Sequence, residues 1–532
     1  MPALFSFEFG NRFITVRDWK VSFLVYSPDN AYTPDPSSLQ IDQRPDGLTI
    51  MAKQFAWAGL QQRTSGSFRA AIRYVDGGFE CDIEATLHER IKGTTILLRD
   101  CWPKGVPTRD YGEEACPSHG ALLTYPTGLR LPVFPLKLTD GTFIAIANLD
   151  ERVRGKTVAV VPDADTAIIE LHHHEDARHW STRQITPTWC VLRCSDPSPL
   201  FEARCAIAER AWGLRPWEIR DDVPDWARRV GLVLNLHGTH WTGYIFNTYE
   251  QQLDAIRYVA ERIEGQRVLA YLAAWDGRYN YNWPRYEADE RMGGVAGLRK
   301  LVKEAHTLGV RVIPQIGAVS ANRRLLPPSL HDSACQDAHG NTYVKEVEWD
   351  NDRVPDTYRV NANIGHPGFR QFLLEKTFGI TKEFGFDGIF LDINMQFSND
   401  PRFHLTEGHR AFAAACHERF NDCLIFGENW YDGLMPLYPL VHSVTGKDSG
   451  VLRNWPTVFD RYCRTTYHLI HPAPGRGSSG VYEAGYLDPF EPDPNLNAIP
   501  AISFVNDTLH DHRHAIDRHI EIAKTYMQRK GI

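Results

Sequence analysis

The feature that most constrains this chain is a change of hydrophobic period near residue 226. Beyond it, short apolar runs alternate with helical segments to almost the end of the sequence. The runs cover residues 230–236, 267–272, 310–316, 388–392, 424–426, 440–444 and 498–505, with a weaker one over 462–470. Helical periods fall between them at 249–262, 296–308, 367–384 and 407–420. In 296–308, Leu298, Leu301, Val302 and Ala305 share one face while Arg299, Lys300 and Glu304 lie elsewhere, the mark of a helix with one buried stripe. Strands alternating with helices need a parallel sheet with helices outside it. An open doubly wound sheet and a closed eightfold barrel both satisfy that pattern. The length of the region, and the polar residues at the ends of the runs, favour a (β/α)8 TIM barrel.

The first 200 or so residues obey a different rule. Short alternating segments, among them 12–16, 67–74, 79–87, 94–98, 143–147, 157–161 and 167–173, are separated by turn signals such as Asp76-Gly77-Gly78 and Asp140-Gly141. Many short strands so punctuated predict a β-sandwich. A helical stretch at 199–212 leads into a Pro-containing segment at 215–224. The expected organisation is therefore multidomain: an N-terminal β-sandwich over 1–205, a helical linker over 206–225 and a catalytic (β/α)8 barrel over 226–532.

Bulk properties narrow the function classes. At 532 residues with 43% hydrophobic and 23% charged residues, the composition is that of a soluble globular protein. A net charge of -8 argues against nucleic-acid or anionic-membrane partners. No apolar stretch approaches the roughly 18 residues of a membrane span. The N-terminus has no basic region and meets Glu8 early, and ten cysteines are scattered without a CxxC pair. Both features suit reduced thiols in a cytoplasmic protein. Fourteen tryptophans and 21 tyrosines suit sugar-stacking surfaces as well as large cores.

Two run ends carry unusual chemistry. Gly388-Ile389-Phe390-Leu391-Asp392-Ile393-Asn394 puts Asp392 at the exit of an apolar strand, and Leu424-Ile425-Phe426-Gly427-Glu428-Asn429-Trp430 puts Glu428 at the exit of the next. A carboxylate after buried apolar residues costs free energy unless it is paired or used. One alone could cap a helix; two on consecutive strands point to chemistry. A retaining glycosidase needs two carboxyl groups about 5 Å apart, close to the separation that neighbouring barrel strands offer. Asp392, short and held at its strand end, suits the nucleophile. Glu428 has the longer reach, and repulsion from Asp392 would raise its pKa, which suits the acid/base.

These residues carry a resemblance. Residues 297–306 with Leu308-Gly309-Val310-Arg311-Val312-Ile313-Pro314 resemble the second helix and third strand of α-amylase-type barrels. Gly385-Phe386-Asp387-Gly388-Ile389-Phe390-Leu391-Asp392 is similar to their nucleophile strand, and Phe426-Gly427-Glu428-Asn429-Trp430 to their acid/base strand. Phe504-Val505-Asn506-Asp507 resembles the late strand whose aspartate stabilises the transition state, which implies Asp507 as a third carboxylate and Asn506 beside the substrate. Three positions depart from the family: its strand-four arginine is Phe390, its strand-three aspartate is replaced at Gln315, and the histidine before the last aspartate is missing. The departures set the chain apart from α-amylases proper. They bring it nearer to endo-α-N-acetylgalactosaminidase-like or dextranase-like barrels, whose N-terminal sandwich is also matched. The resemblance implies retaining cleavage of α-linked oligosaccharides or glycoconjugates, with a carbohydrate as partner and no cofactor.

Other strand-end residues are candidates for sugar contacts. The loop Trp275-Asp276-Gly277-Arg278-Tyr279-Asn280-Tyr281-Asn282-Trp283 offers Trp275 and Trp283 as stacking platforms and Asp276 as a hydroxyl partner; an ordinary packed loop has the same composition. His237 follows the first strand, and Asn394 and Trp430 flank the two carboxylates. Arg359 stands where it could replace the missing arginine beside Asp392. The run His172-His173-His174-Glu175 invites a metal reading, but strand alternation turns His173 away from its neighbours, and a solvated strand accounts for it. No GxxxxGK[ST], GxSxG or HExxH motif occurs. Three other readings stay open: a glycosyl transferase using the same site, a non-catalytic carbohydrate-binding protein, and a metal-dependent barrel hydrolase or lyase.

Overall fold

The computed structural model describes residues 13–99, 108–109, 120–138, 140–163, 166–240, 243–278, 281–347, 353, 357–420, 422–443, 459–468, 498–505 and 508–532. The chain forms two compact units. One comprises Met1–Gly213 with Asn399–Arg402, the other Leu214–Ser398 with Phe403–Ile532.

The first unit is a β-sandwich of antiparallel strands. Ala31–Pro34 joins its two layers, pairing with Trp19–Tyr26 in one and Gly47–Trp57 in the other. Period-two patterning does the packing. Along Gly78–Ile91, Phe79, Cys81, Ile83, Ala85 and Leu87 are all buried. Rings from the two layers meet between them: Phe23 against Phe68 at 5.1 Å and Trp19 against Phe79 at 6.0 Å. Each such side chain contributes roughly 1.5–3 kcal/mol by leaving water.

The helix Ser198–Trp212 belongs to this unit, not to a linker, and stops at Gly213, whose φ of 70° gives the left-handed turn that ends it. The histidine run is also different from a solvated strand. His172 and His173 are 5% and 2% exposed, because their strand lies inside the sheet between Lys156–Asp163 and Gly93–Arg99. His172 shares hydrogen bonds with Thr95 and Glu170, and His173 with Glu175. Glu175 in turn meets Arg154, which also binds Asp150, so the charges there are paired and buried.

The second unit is a closed barrel of eight parallel strands. They are β1 (Leu232–His237), β2 (Val268–Ala273), β3 (Arg311–Gly317), β4 (Gly388–Asp392), β5 (Leu424–Gly427), β6 (Leu440–Ser443), β7 (Arg464–His468) and β8 (Ile499–Phe504). Pairing of β8 with β1 closes the ring. The weak run over 462–470 is therefore β7, and 498–505 is the eighth strand. Helices follow as sequence periodicity predicts: α1 (Tyr249–Ala260), α2 (Gly294–Thr307), α3 (Pro367–Phe384) and α4 (Leu405–Arg419), with α5 (Arg513–Lys530) after β8. A capping box of Thr248 and Gln251 starts α1. Leu298, Leu301, Val302 and Ala305 form the buried stripe of α2. Between β3 and α3 the chain adds a three-stranded antiparallel sheet of Ser320–Asn322, Thr357–Asn361 and Val344–Val347. Those strands are short and polar, without the apolar runs that reveal the barrel. Among the described residues, no helix is long and apolar enough to cross a membrane.

Candidate active site

Strand register decides which side chains enter the barrel. Tyr271 on β2 aligns with Ile313 on β3, Gln315 with Phe390 on β4, and Phe390 with Phe426 on β5. Aligned residues on parallel strands face the same way. The rings of Tyr271, Phe390, Phe426 and His442 accordingly meet, with Tyr271 stacked on Phe390 at 4.1 Å and 26°. Phe426 lies 4.9 Å from Phe390, and His442 5.6 Å from Phe390. This aromatic layer fills the middle of the barrel. Two residues further along β4 and β5, at the C-terminal mouth, the same inward direction falls to Asp392 and Glu428. Leu391 pairs with Gly427, so the two acids occupy the next rung of adjacent strands, whose backbones run about 4.8 Å apart.

Each acid has an assigned donor. Asp392 is 1% exposed, and Nε2 of Gln315 donates to its Oδ2. Oε1 of Gln315 accepts from the amide of Ala274 at 2.7 Å. Glu428 is half-buried, and its Oε2 accepts from the amide of Ile393 at 2.7 Å. Ala274 and Ile393 each follow a barrel strand directly, and both are in the left-handed region, at φ 49° and 56°. That conformation is uncommon for alanine and an outlier for a β-branched residue. At both strand ends it accompanies an N–H bond into the mouth in place of the sheet ladder.

The negative charge of the site is felt nearby. Burial pushes the phenol of Tyr271 well above its ordinary range, and the charges of Asp392 and Glu428 push it further. Tyr286 is likewise raised, first by burial, then by Asp276 and Asp392, against a hydrogen bond with the backbone of Gly317. Both tyrosines stay neutral phenols.

The loop after β2 divides its residues between packing and chemistry. Trp275 is fully buried: its indole N–H donates to the carbonyl of Gln315 at 2.9 Å, and its ring packs on Phe384 and Phe386. Trp283 is also fully buried, pressed on Gly317, where an added Cβ would lie 2.3 Å from the ring. Trp430, 3% exposed, packs on Phe459 at 4.6 Å. The expectation of stacking at Trp275 and Trp283 is corrected, because protein covers the ring faces a sugar would need, and so is that of a sugar contact at Trp430. Asn394 is corrected in the same sense. It is wholly buried, and its amide exchanges two hydrogen bonds with the backbone of Asn429, tying β4 to β5.

Asp276 behaves differently. It is 4% exposed, and neither carboxylate oxygen has a hydrogen-bond partner among the described residues. Burial, reinforced by the charge of Asp289, raises its pKa to about 8. A buried carboxyl without a partner is costly, and residues so placed cluster at functional sites.

His237 ends β1, 8% exposed, with its ring edge-to-face on Phe246. Arg359 is half-buried in the antiparallel sheet beside Asn322 and Lys345, and no ion pair joins it to Asp392. The position two residues before Asp392 needs no cation, since Phe390 there belongs to the aromatic layer. Asn506 and Asp507 lie outside the described residues. Among the described residues no group of three or more His, Cys, Asp or Glu is placed to hold a metal ion. Tyr271 was not singled out by sequence and Gln315 was noted only as a departure from the family pattern, although each is a polar side chain inside an otherwise apolar run.

No family model matches this sequence, and no curated protein matches it. Solved structures do. The chain is similar to the α-N-acetylgalactosaminidase NagBb from Bifidobacterium bifidum, at 12% identity and a TM-score of 0.64, over 97% of this chain and 93% of that one. A GH31 family sulfoquinovosidase from E. rectale aligns at 12% identity and a TM-score of 0.53, over 97% and 81%. The galactosidase domain of the α-galactosidase-sucrose kinase AgaSK aligns at 11% identity and a TM-score of 0.51, over 96% and 72%. At such identities the likeness concerns the fold: a β-rich domain followed by a parallel eight-stranded barrel.

Proposed function

We propose that this chain is a retaining glycoside hydrolase acting on an α-linked oligosaccharide or glycoconjugate, with Asp392 as nucleophile and Glu428 as acid/base. The observation that carries the reading is the pair itself: two inward-facing carboxylates on one rung of adjacent strands at the catalytic end of a closed barrel. Asp392 attacks the anomeric carbon while Glu428 protonates the departing glycosidic oxygen. Glu428 then takes a proton from water as the water displaces Asp392 from the glycosyl ester. The bond from the amide of Ile393 to Oε2 orients this carboxyl group.

Asp276 supplies recognition. Its buried carboxyl, without a hydrogen-bond partner among the described residues, gains hydrogen bonds when sugar hydroxyls arrive, so substrate relieves a cost of burial. His237 lines the mouth from β1. The preference for α-linkages is supported by the kind of enzyme that the similar solved structures are named as.

The test is hydrolysis of a panel of nitrophenyl α- and β-glycosides, with the first-formed anomer read by NMR. An α-glycoside cleaved with retention is the expected result. Inversion, or unchanged turnover by Asp392→Asn, would overturn the assignment.

A further inference from the structure

We infer that Gln315 is the positioning residue of Asp392, an amide whose orientation the fold fixes so that only its nitrogen can face the nucleophile. The role presupposes Asp392 as the nucleophile proposed above.

A glutamine amide is close to symmetric in shape, and only its partners decide which end is oxygen. Here one partner is the amide of Ala274, a donor, 2.7 Å from Oε1. Oxygen must therefore lie there, which turns Nε2 onto Oδ2 of Asp392. The donor at Ala274 is itself held. Its residue is left-handed at φ 49°, its carbonyl accepts from the amide of Thr239 at 3.1 Å, and the carbonyl of Ala273 accepts from Gly238 at 2.9 Å. Gln315 is 2% exposed, and its own carbonyl takes the indole N–H of Trp275. A chain of bonds thus runs from the loop after β1, through the end of β2 and the side chain on β3, to the acid on β4.

The bond does two things for a nucleophile. It fixes the carboxylate's rotation, and, as a donor, it favours the charged form that attacks. A glutamine amide offers an acceptor to Ala274 and a donor to Asp392 at once, whatever the pH. An ionised glutamate keeps the first and loses the second, and sets a like charge against the nucleophile.

Two substitutions separate this role from simple packing. Gln315→Met keeps the volume and removes the donor. The acidic limb of kcat/KM is expected to rise by about one to two pH units. Gln315→Glu keeps the bond to Ala274 and can donate to Asp392 only while protonated. Its activity is expected to be confined to the acid side, so the alkaline limb descends. The two isosteric changes move opposite limbs in opposite directions. Folding is checked by circular dichroism and thermal melts, and the isosteric glutamate covers the case in which methionine destabilises the barrel. A reading independent of turnover is 13C NMR titration of aspartate carboxyl carbons, with Asp392 recognised by its loss in Asp392→Asn. Its midpoint rises in Gln315→Met. Folded variants that scale activity equally at every pH, with the Asp392 carbon titrating as before, would overturn the role. If Asp392→Asn retains activity, it is the hydrolase reading that fails instead.

Discussion

The amide of Ile393 donates to Oε2 of Glu428 at 2.7 Å, and the residue carrying that amide is a β-branched side chain at φ 56°. A left-handed conformation costs roughly 1–2 kcal/mol for an L-residue. Glycine would carry the same φ without that cost, but glycine would not enforce it. The strained residue thus joins its chain neighbour Asp392, the proposed nucleophile, to Glu428, the proposed acid/base, across the strand gap.

Ile393→Gly is expected to leave stability within about 1 kcal/mol of the parent, relief of the left-handed cost offsetting the half-buried side chain that is lost. Its kcat should fall by up to about 100-fold, as a small loss of alignment can cause, with KM little changed. Urea denaturation and steady-state kinetics on the same preparation check both halves. A variant as active as the parent would mean that the alignment of Glu428 does not depend on the conformation this side chain enforces.

Asp392→Asn is expected to abolish turnover, and Glu428→Gln to lower kcat by about 10²–10⁴-fold on substrates with poor leaving groups. On an activated nitrophenyl glycoside, Glu428→Gln should lose less in the glycosylation step, because that leaving group needs little protonation. Circular dichroism should be unchanged in both.

Asp276→Asn should stabilise the protein while disabling it. The unfolded chain ionises this group near 3.8, whereas the folded state holds its proton to about 8. Between those values the folded state binds more protons than the unfolded one, so stability falls as pH rises. Below 3.8 the group contributes no difference, and above 8 the penalty is complete. Asparagine removes it, and the gain in Tm should be small at pH 4 and largest near pH 8. Activity should drop over the whole range because the proposed sugar contact is weakened. A melt comparison at the two pH values tests the sign; an equal shift at both would refute it.

Gly317→Ala places a methyl group 2.3 Å from the ring of Trp283 and beside Asp392, its partner across β3 and β4. Overpacking of this kind costs roughly 1–3 kcal/mol. The variant should unfold at lower urea with an unchanged m-value, and tryptophan fluorescence should report the displaced ring.

Where a segment obeys one hydrophobic period, its structure is legible in the sequence. The runs leading to Asp392 and Glu428 are apolar on both faces, so their strand character was legible, whereas the direction the acids face came only with the register between strands. The tryptophans misled because an aromatic ring suits a sugar face and a protein interior equally well. Only burial separates the two uses, and burial at Trp275 is set by Phe384 and Phe386, more than 100 residues away in sequence. Gln315 was visible only as a departure from a familiar pattern. Its partners lie on β2 and β4, and no local signal announces a hydrogen bond between strands so far apart. The polar sheet containing Arg359 has too few apolar residues to mark its strands.

The segment Asn399–Arg402, which follows β4, is counted with the sandwich for a reason that can be named. The side chain of Asn399 accepts from the amide of Ala177 and donates to the carbonyl of Glu175, each at 2.8 Å. Heredity therefore cannot treat the two units as interchangeable cassettes. A recombination event, or an engineer's truncation, at Gly213 would separate four residues from the unit they complete. Exchange of either unit between relatives has to carry this short patch with it, and drift in the two stretches of sequence is tied together by one amide.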